Sequence, residues 1–113
     1  MKVIVTGVTG QLGYDTARVL RGRGEEVVGA TRREIPLDDP ARARTFVEET
    51  RPDAVIHCAA YTAVDAAEDN VELYRKINRD GTQNIANTCK KHNIKMIYID
   101  YLSDYLEAMF LLL

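Results

Sequence analysis

The chain's fold is restricted most by its first two dozen residues. A β-branched run, Lys2–Thr6, stops at Gly7; glycine recurs at Gly10 and Gly13, and apolar residues then follow a helical period from Gln11. An unbroken apolar run of this length predicts a strand buried on both faces of a parallel sheet. Leu12, Ala17, Val19 and Leu20 mark the inner face of the predicted helix, and Gly22 and Gly24 mark its end. Without a Cβ, Gly7 and Gly10 permit a tight turn and close backbone approach, and Gly13 lets the helix pack against the strand. The helix would then aim free N–H groups and the positive end of its dipole at an anion, of which a pyrophosphate is the natural example. A tight turn that binds nothing carries the same glycines. Here, however, strand, turn, helix and second strand all fall where phosphate binding requires them.

The rest of the chain repeats the alternation. Glu26–Ala30 reads as a second strand, and "TRREIPLDDP", with two prolines and no period, reads as a loop. Asp39 and Pro40 begin a helix over residues 41–49 with Ala43, Phe46 and Val47 on one side, and "RPD" at 51–53 ends it. A third strand is expected over 54–57, a long helix over about 68–91 with Leu73, Ile77, Ile85, Ala86 and Cys89 inward, and a fourth strand over 94–99. Strands alternating with helices predict an α/β fold, a doubly wound parallel sheet of the Rossmann type with about four strands and right-handed crossovers. Residues 1–113 read as a single nucleotide-binding domain, closed by a divergent tail over 100–113. In that tail Ser103 can cap a short apolar helix presenting Leu102, Tyr105, Leu106, Met109, Phe110 and Leu113. Such a helix would cover a bare sheet face or pair with a second copy to make a homodimer.

Composition narrows the partners. Apolar residues make up 46% of the 113 and charged residues 28%, which fits one folded domain rather than a disordered chain. Fifteen basic and 17 acidic residues are scattered along the sequence, so no basic stripe is available for nucleic acid. No apolar segment approaches membrane-spanning length, and Cys58 and Cys89 lack the spacing of a metal site or disulfide framework. The expected setting is therefore cytoplasmic, with both thiols reduced. His57 reads as a strand-end residue with a satisfied ring, Cys58 as buried packing, and His92, in "KKHN", as solvated. After the second strand, an acidic residue suits the free ribose hydroxyl of NAD, whereas arginine suits the 2′-phosphate of NADP. Arg32 and Arg33 in "GATRRE" favour NADP, and the nearby Glu34 keeps NAD open.

"VTGVTGQLG", followed by "RPDAVIHCAAYTAVDAAE" and "INRDGTQNIA", resembles the extended short-chain dehydrogenase/reductases, and among them the dTDP-4-dehydrorhamnose reductase family. The glycine motif alone is shared across the superfamily; "HCAAYTAVDAAE" is the more specific phrase. The resemblance, from Met1 to about Ile99, implies NADPH-dependent reduction of a dTDP-linked 4-dehydro sugar. It assigns Gly7, Gly10, Gln11, Leu12 and Gly13 to the pyrophosphate turn, Arg32 to the adenosine ribose and Asp38 to the adenine. It places Ala59, Ala60 and Tyr61 along the cofactor, and makes Asn78 a helix asparagine supporting the active site. Thr62, Val64, Asp65 and Glu68 would border the nicotinamide and a sugar-nucleotide pocket. Asp65 and Glu68 also suit a helix N-terminus as carboxylates favoured by the dipole, whereas Asn78 is a poor helix former and calls for a local reason.

The resemblance weakens in the tail. Where the family carries a "STDYVFDG"-like segment, "IYI" here runs into "DYLSDYLEAMFLLL". The family's Tyr-x-x-x-Lys pair, in which tyrosine donates a proton and lysine lowers its pKa, has no counterpart: no tyrosine precedes a lysine by four positions, and no lysine follows Lys95. The resemblance thus implies a cofactor-binding half without the catalytic acid.

Overall fold

The computed structural model of the chain describes residues 1–59, 71–102 and 107–112. Its elements run β1 (Lys2–Thr6), α1 (Gln11–Gly22), β2 (Glu26–Ala30), α2 (Pro40–Thr50), β3 (Ala54–Ala59), α3 (Val71–Lys91), β4 (Lys95–Leu102) and β5 (Glu107–Leu112). The sheet order is β2-β1-β3-β4-β5; the first four strands are parallel and β5 is antiparallel to β4.

Alternation along β1 explains why its sequence is continuously apolar. Val3 and Val5 pack with Ala17 of α1 on one face, while Ile4 packs with Ala43 and Val47 of α2 and Ile85 and Cys89 of α3 on the other. The sheet is thus doubly wound, with α1 on one side and α2 and α3 on the other. Strand order reverses at β1: the chain steps outward to β2, then returns to β3 on the opposite side. The crevice at the carboxyl ends of β1 and β3 is the switch point where such sheets bind ligands.

Local signals account for the boundaries. Asp39 caps α2 by accepting a 3.2 Å hydrogen bond from the Arg42 backbone N–H, Pro40 occupies the first turn, and Arg51, at φ 50°, closes the helix before Pro52. Replacing Asp39 with alanine should lower unfolding free energy by about 1 kcal/mol, read as a shift in the urea midpoint at unchanged slope; an unshifted midpoint would mean the cap contributes nothing.

Two expectations are corrected. The tail forms strand β5 rather than a helix, pairing Ile97 with Leu112 through Leu102 with Glu107. A parallel sheet ending at β4 leaves a row of unpaired backbone donors and acceptors, and pairing with that edge outweighs the helical period of a six-residue segment too short to hold a helix alone. Ser103 and Leu106, placed in that helix, lie outside the described residues, as do Tyr105 and Leu113. Val19 and Leu73 fit the helical period but are 48% and 52% exposed, because each lies at the margin of its apolar face where no described element covers it. His92 is exposed, as expected, and its Nε2 lies 2.7 Å from Glu48 Oε2, linking the turn after α3 to α2. The loop after β2 is aperiodic, as expected, yet it contributes to the core, with Ile35 buried and Leu37 packed against the α2–α3 side.

Candidate functional site at the carboxyl ends of β1 and β3

The glycine turn lies at the switch point. Gly7 adopts φ +69°, and a Cβ there would collide with the Cys58 carbonyl oxygen on β3. A Cβ on Gly13 would collide with the Gly7 carbonyl oxygen and lie 2.9 Å from the Val8 nitrogen. The first turn of α1 is thus pressed onto the backbone leaving β1, a distance only glycine permits. Gly10 donates its N–H to Gly7 O at 3.0 Å, and Tyr14 N–H is the first to find its partner four residues back, at Gly10 O. Gly10 occupies the N-cap position and, having no side chain, makes no side-chain cap bond. The amides of Gln11, Leu12 and Gly13 therefore form a cradle of backbone donors at a positive helix end, fitted for a phosphate group.

A buried polar network holds this turn to β3 and α3. Thr6 Oγ1 accepts from the Cys58 backbone N–H at 3.0 Å and lies 2.7 Å from His57 Nδ1. His57 Nε2 lies 3.1 Å from Thr82 Oγ1, and the ring stacks on Tyr98 at 5.5 Å between centroids. Burial pushes the His57 pKa down to about 4, so at neutral pH the ring is uncharged, with one nitrogen donating and the other accepting. The satisfied ring agrees with the sequence reading, although His57 lies within β3 rather than at its end. Cys58 is buried; burial pushes its thiol pKa up while a hydrogen bond with Thr16 partly opposes this, leaving an unreactive packing residue.

The loop after β2 begins beside the turn, since Val8 N–H donates to the carbonyl of Ala30, the last residue of β2, at 3.5 Å. Arg32, Arg33 and Asp38 are exposed on it. Glu34 turns back onto Thr31: Oε2 accepts from the Thr31 backbone N–H at 2.9 Å and from Thr31 Oγ1 at 2.6 Å. These bonds lower the Glu34 pKa, with Arg33 adding a smaller electrostatic contribution.

The sequence-derived residues divide accordingly. Gly7, Gly10, Gln11, Leu12 and Gly13 come together in the turn, and the segment carrying Arg32 and Asp38 begins beside it. Ala59 ends β3, at the same end of the sheet. Asn78 is half-buried within α3, one turn before Thr82. Ala60, Tyr61, Thr62, Val64, Asp65 and Glu68 lie outside the described residues. Two contributors were not anticipated. Thr82 carries no local signal, because its partner lies 25 residues away, whereas "TRRE" matches the S/T-x-x-E spacing of a capping box and could have revealed the Thr31–Glu34 pair.

Comparison with known proteins agrees with this geometry. The family described as RmlD substrate binding domain matches residues 1–106. A dTDP-4-dehydrorhamnose reductase of Burkholderia thailandensis is 37% identical over 105 residues, covering 93% of this chain and 34% of the relative. A dTDP-4-keto-6-deoxy-D-glucose reductase of Streptomyces niveus is 33% identical over 103 residues, covering 89% and 36%. The crystal structure of a dTDP-4-dehydrorhamnose reductase from Bacillus anthracis in complex with NADP superposes with a TM-score of 0.77 at 33% identity, over 88% of this chain and 36% of that one. The chain thus spans about a third of the length of these relatives. A match running from the glycine turn through all four parallel strands shows that the chain belongs to the RmlD substrate binding domain family.

Proposed function

We propose that this chain binds NADP across the β1–β3 crevice as the cofactor-holding part of a dTDP-4-dehydrorhamnose reductase, without completing hydride transfer itself. The carrying observation is the first turn of α1, whose glycine N-cap makes no side-chain cap bond and which is pressed onto Gly7, leaving the amides of Gln11, Leu12 and Gly13 to receive a pyrophosphate. Arg32 and Arg33, exposed after β2, suit a 2′-phosphate; Asp38 would face the adenine, and Ala59, Ala60, Tyr61 and Asn78 the remainder of the cofactor. Thr62, Val64, Asp65 and Glu68 would border the nicotinamide and a sugar nucleotide. When bound, NADPH supplies the hydride. The protein's own task is to hold the dinucleotide in one orientation and, in a complete reductase, to deliver a proton to the substrate oxygen. Among the 113 residues no Tyr-x-x-x-Lys pair occurs.

Calorimetric titration of the purified chain with NADP and NAD tests binding: saturable heat, tighter for NADP, is expected, and absence of heat with both would overturn the reading. Incubation with NADPH and dTDP-4-dehydro-6-deoxy-L-mannose should leave the nicotinamide absorbance unchanged; a steady decline would refute the separation of binding from catalysis.

A further inference from the structure

The residue pattern after β2 is ambiguous about the cofactor because two arginines are followed by an acid. Glu34 alone could receive a ribose 2′-hydroxyl and would repel a 2′-phosphate. The structure resolves the ambiguity through Thr31. Its backbone N–H and its hydroxyl both donate to Glu34 Oε2, and its Oγ1 accepts from the Arg33 backbone N–H at 3.1 Å. The Thr31 carbonyl accepts from the Glu34 and Ile35 N–H groups at 3.2 and 3.0 Å, closing a tight turn. Ile35 is buried in the core, and Leu37 lies so close to α3 that a Cβ on Gly81 would come within 2.7 Å of its side chain. The turn is therefore held at both ends: Ala30 bonds to the glycine turn, and Ile35 and Leu37 anchor the other side.

We propose that Thr31 is a selectivity-positioning residue: by binding the Glu34 carboxylate inside the 31–34 turn it withdraws that charge from the ribose pocket, so that the turn presents Arg32 and Arg33 to a 2′-phosphate. The proposal rests on the NADP reading above. Glu34 is ionised at neutral pH, since its bonds to Thr31 hold its carboxyl below the usual range. Its charge is thus present in either position, and its placement decides which cofactor it opposes. In Thr31→Val the hydroxyl is lost, which removes one of two donors to Glu34 and the acceptor of the Arg33 amide. The carboxylate then gains freedom to reach the ribose, where it would accept from the hydroxyl of NAD and repel the phosphate of NADP.

The test is the ratio of NADP to NAD affinity, measured calorimetrically on the full chain. The wild type should favour NADP, and Thr31→Ser should keep its ratio. Thr31→Val should reduce the ratio about tenfold or more, and the double variant Thr31→Val/Glu34→Gln should restore it, because no carboxylate remains to swing. Glu34→Gln alone should retain NADP affinity without a selective loss of NAD. A merely structural role for Thr31 would weaken both cofactors in parallel and leave the ratio unchanged in Thr31→Val, and a reduced ratio that Glu34→Gln fails to restore would not come from the carboxylate; either result overturns the proposal. A selective loss of NAD in Glu34→Gln, or NAD preference in the wild type, would also overturn it. Absence of binding to either cofactor by the wild type would instead refute the NADP reading itself.

Discussion

Gly13→Ala should weaken NADP binding by about two orders of magnitude and destabilise the fold. The new methyl would meet the Gly7 carbonyl and the Val8 nitrogen, backbone atoms with no rotamer to yield, so the first turn of α1 must move away from β1. That movement displaces the Gln11, Leu12 and Gly13 amides from a bound pyrophosphate. If two charge-assisted hydrogen bonds are lost at about 1.5 kcal/mol each, affinity falls roughly a hundredfold. Overpacking costs a further 1–3 kcal/mol or so of stability. Gly22→Ala is the informative control, because a Cβ at Gly22 meets nothing within 4 Å. It should leave NADP affinity unchanged and raise stability by up to about 1 kcal/mol, as alanine generally does in a helix. Calorimetry and urea denaturation on both variants supply the comparison; equal NADP affinity in the two would contradict the role assigned to the turn.

The second large effect is acid sensitivity originating in the Thr6–His57–Thr82 network. The unfolded histidine binds its proton near 6.5, while the folded one resists until about pH 4. Between those values the unfolded state holds more protons, so stability rises with pH and is lost as pH falls. At about 1.4 kcal/mol per pH unit, His57 should remove roughly 2 kcal/mol between pH 6.5 and 5. Glu34 acts in the same direction but lower, since its folded pKa lies below 4.5 and its contribution is lost only as pH falls through that range. Urea midpoints at pH 6.5 and 5 therefore isolate the histidine. His57→Gln keeps a donor and an acceptor without titrating, and its midpoint should fall less than that of the wild type; an identical fall in both would remove His57 as the cause.

Much of this architecture is legible in the chain because its signals are local. Lys2–Thr6 and Glu26–Ala30 take the predicted bounds, since each is a short apolar run ended by a loop or turn residue. The glycine spacing is equally direct: Gly7 and Gly13 must lack a Cβ because of atoms only a few residues away or on the adjacent strand. What the sequence conceals depends on distant partners. Helical periodicity selected Val19 and Leu73 as inward, but no period states where the neighbouring element stops. Ile35 and Leu37 are single anchors in an aperiodic loop, and their burial depends on α2 and α3. The tail's apolar residues suit either a helix or a strand, and only the open edge of β4 decides between them. Selectivity is intermediate: Arg32, Arg33 and Glu34 are visible in sequence, but the direction in which Glu34 turns depends on its bonds to Thr31.

The central claim is that the N-terminus of α1 receives the cofactor's phosphates. Titrating NADP into the isotopically labelled chain while following backbone amide resonances tests it most directly. The account predicts the largest saturable shifts at Gly10, Gln11, Leu12 and Gly13, with a second group at residues 31–34, and little change along the exposed face of α2. Shifts concentrated elsewhere, with the 10–13 amides unmoved at saturation, would contradict it.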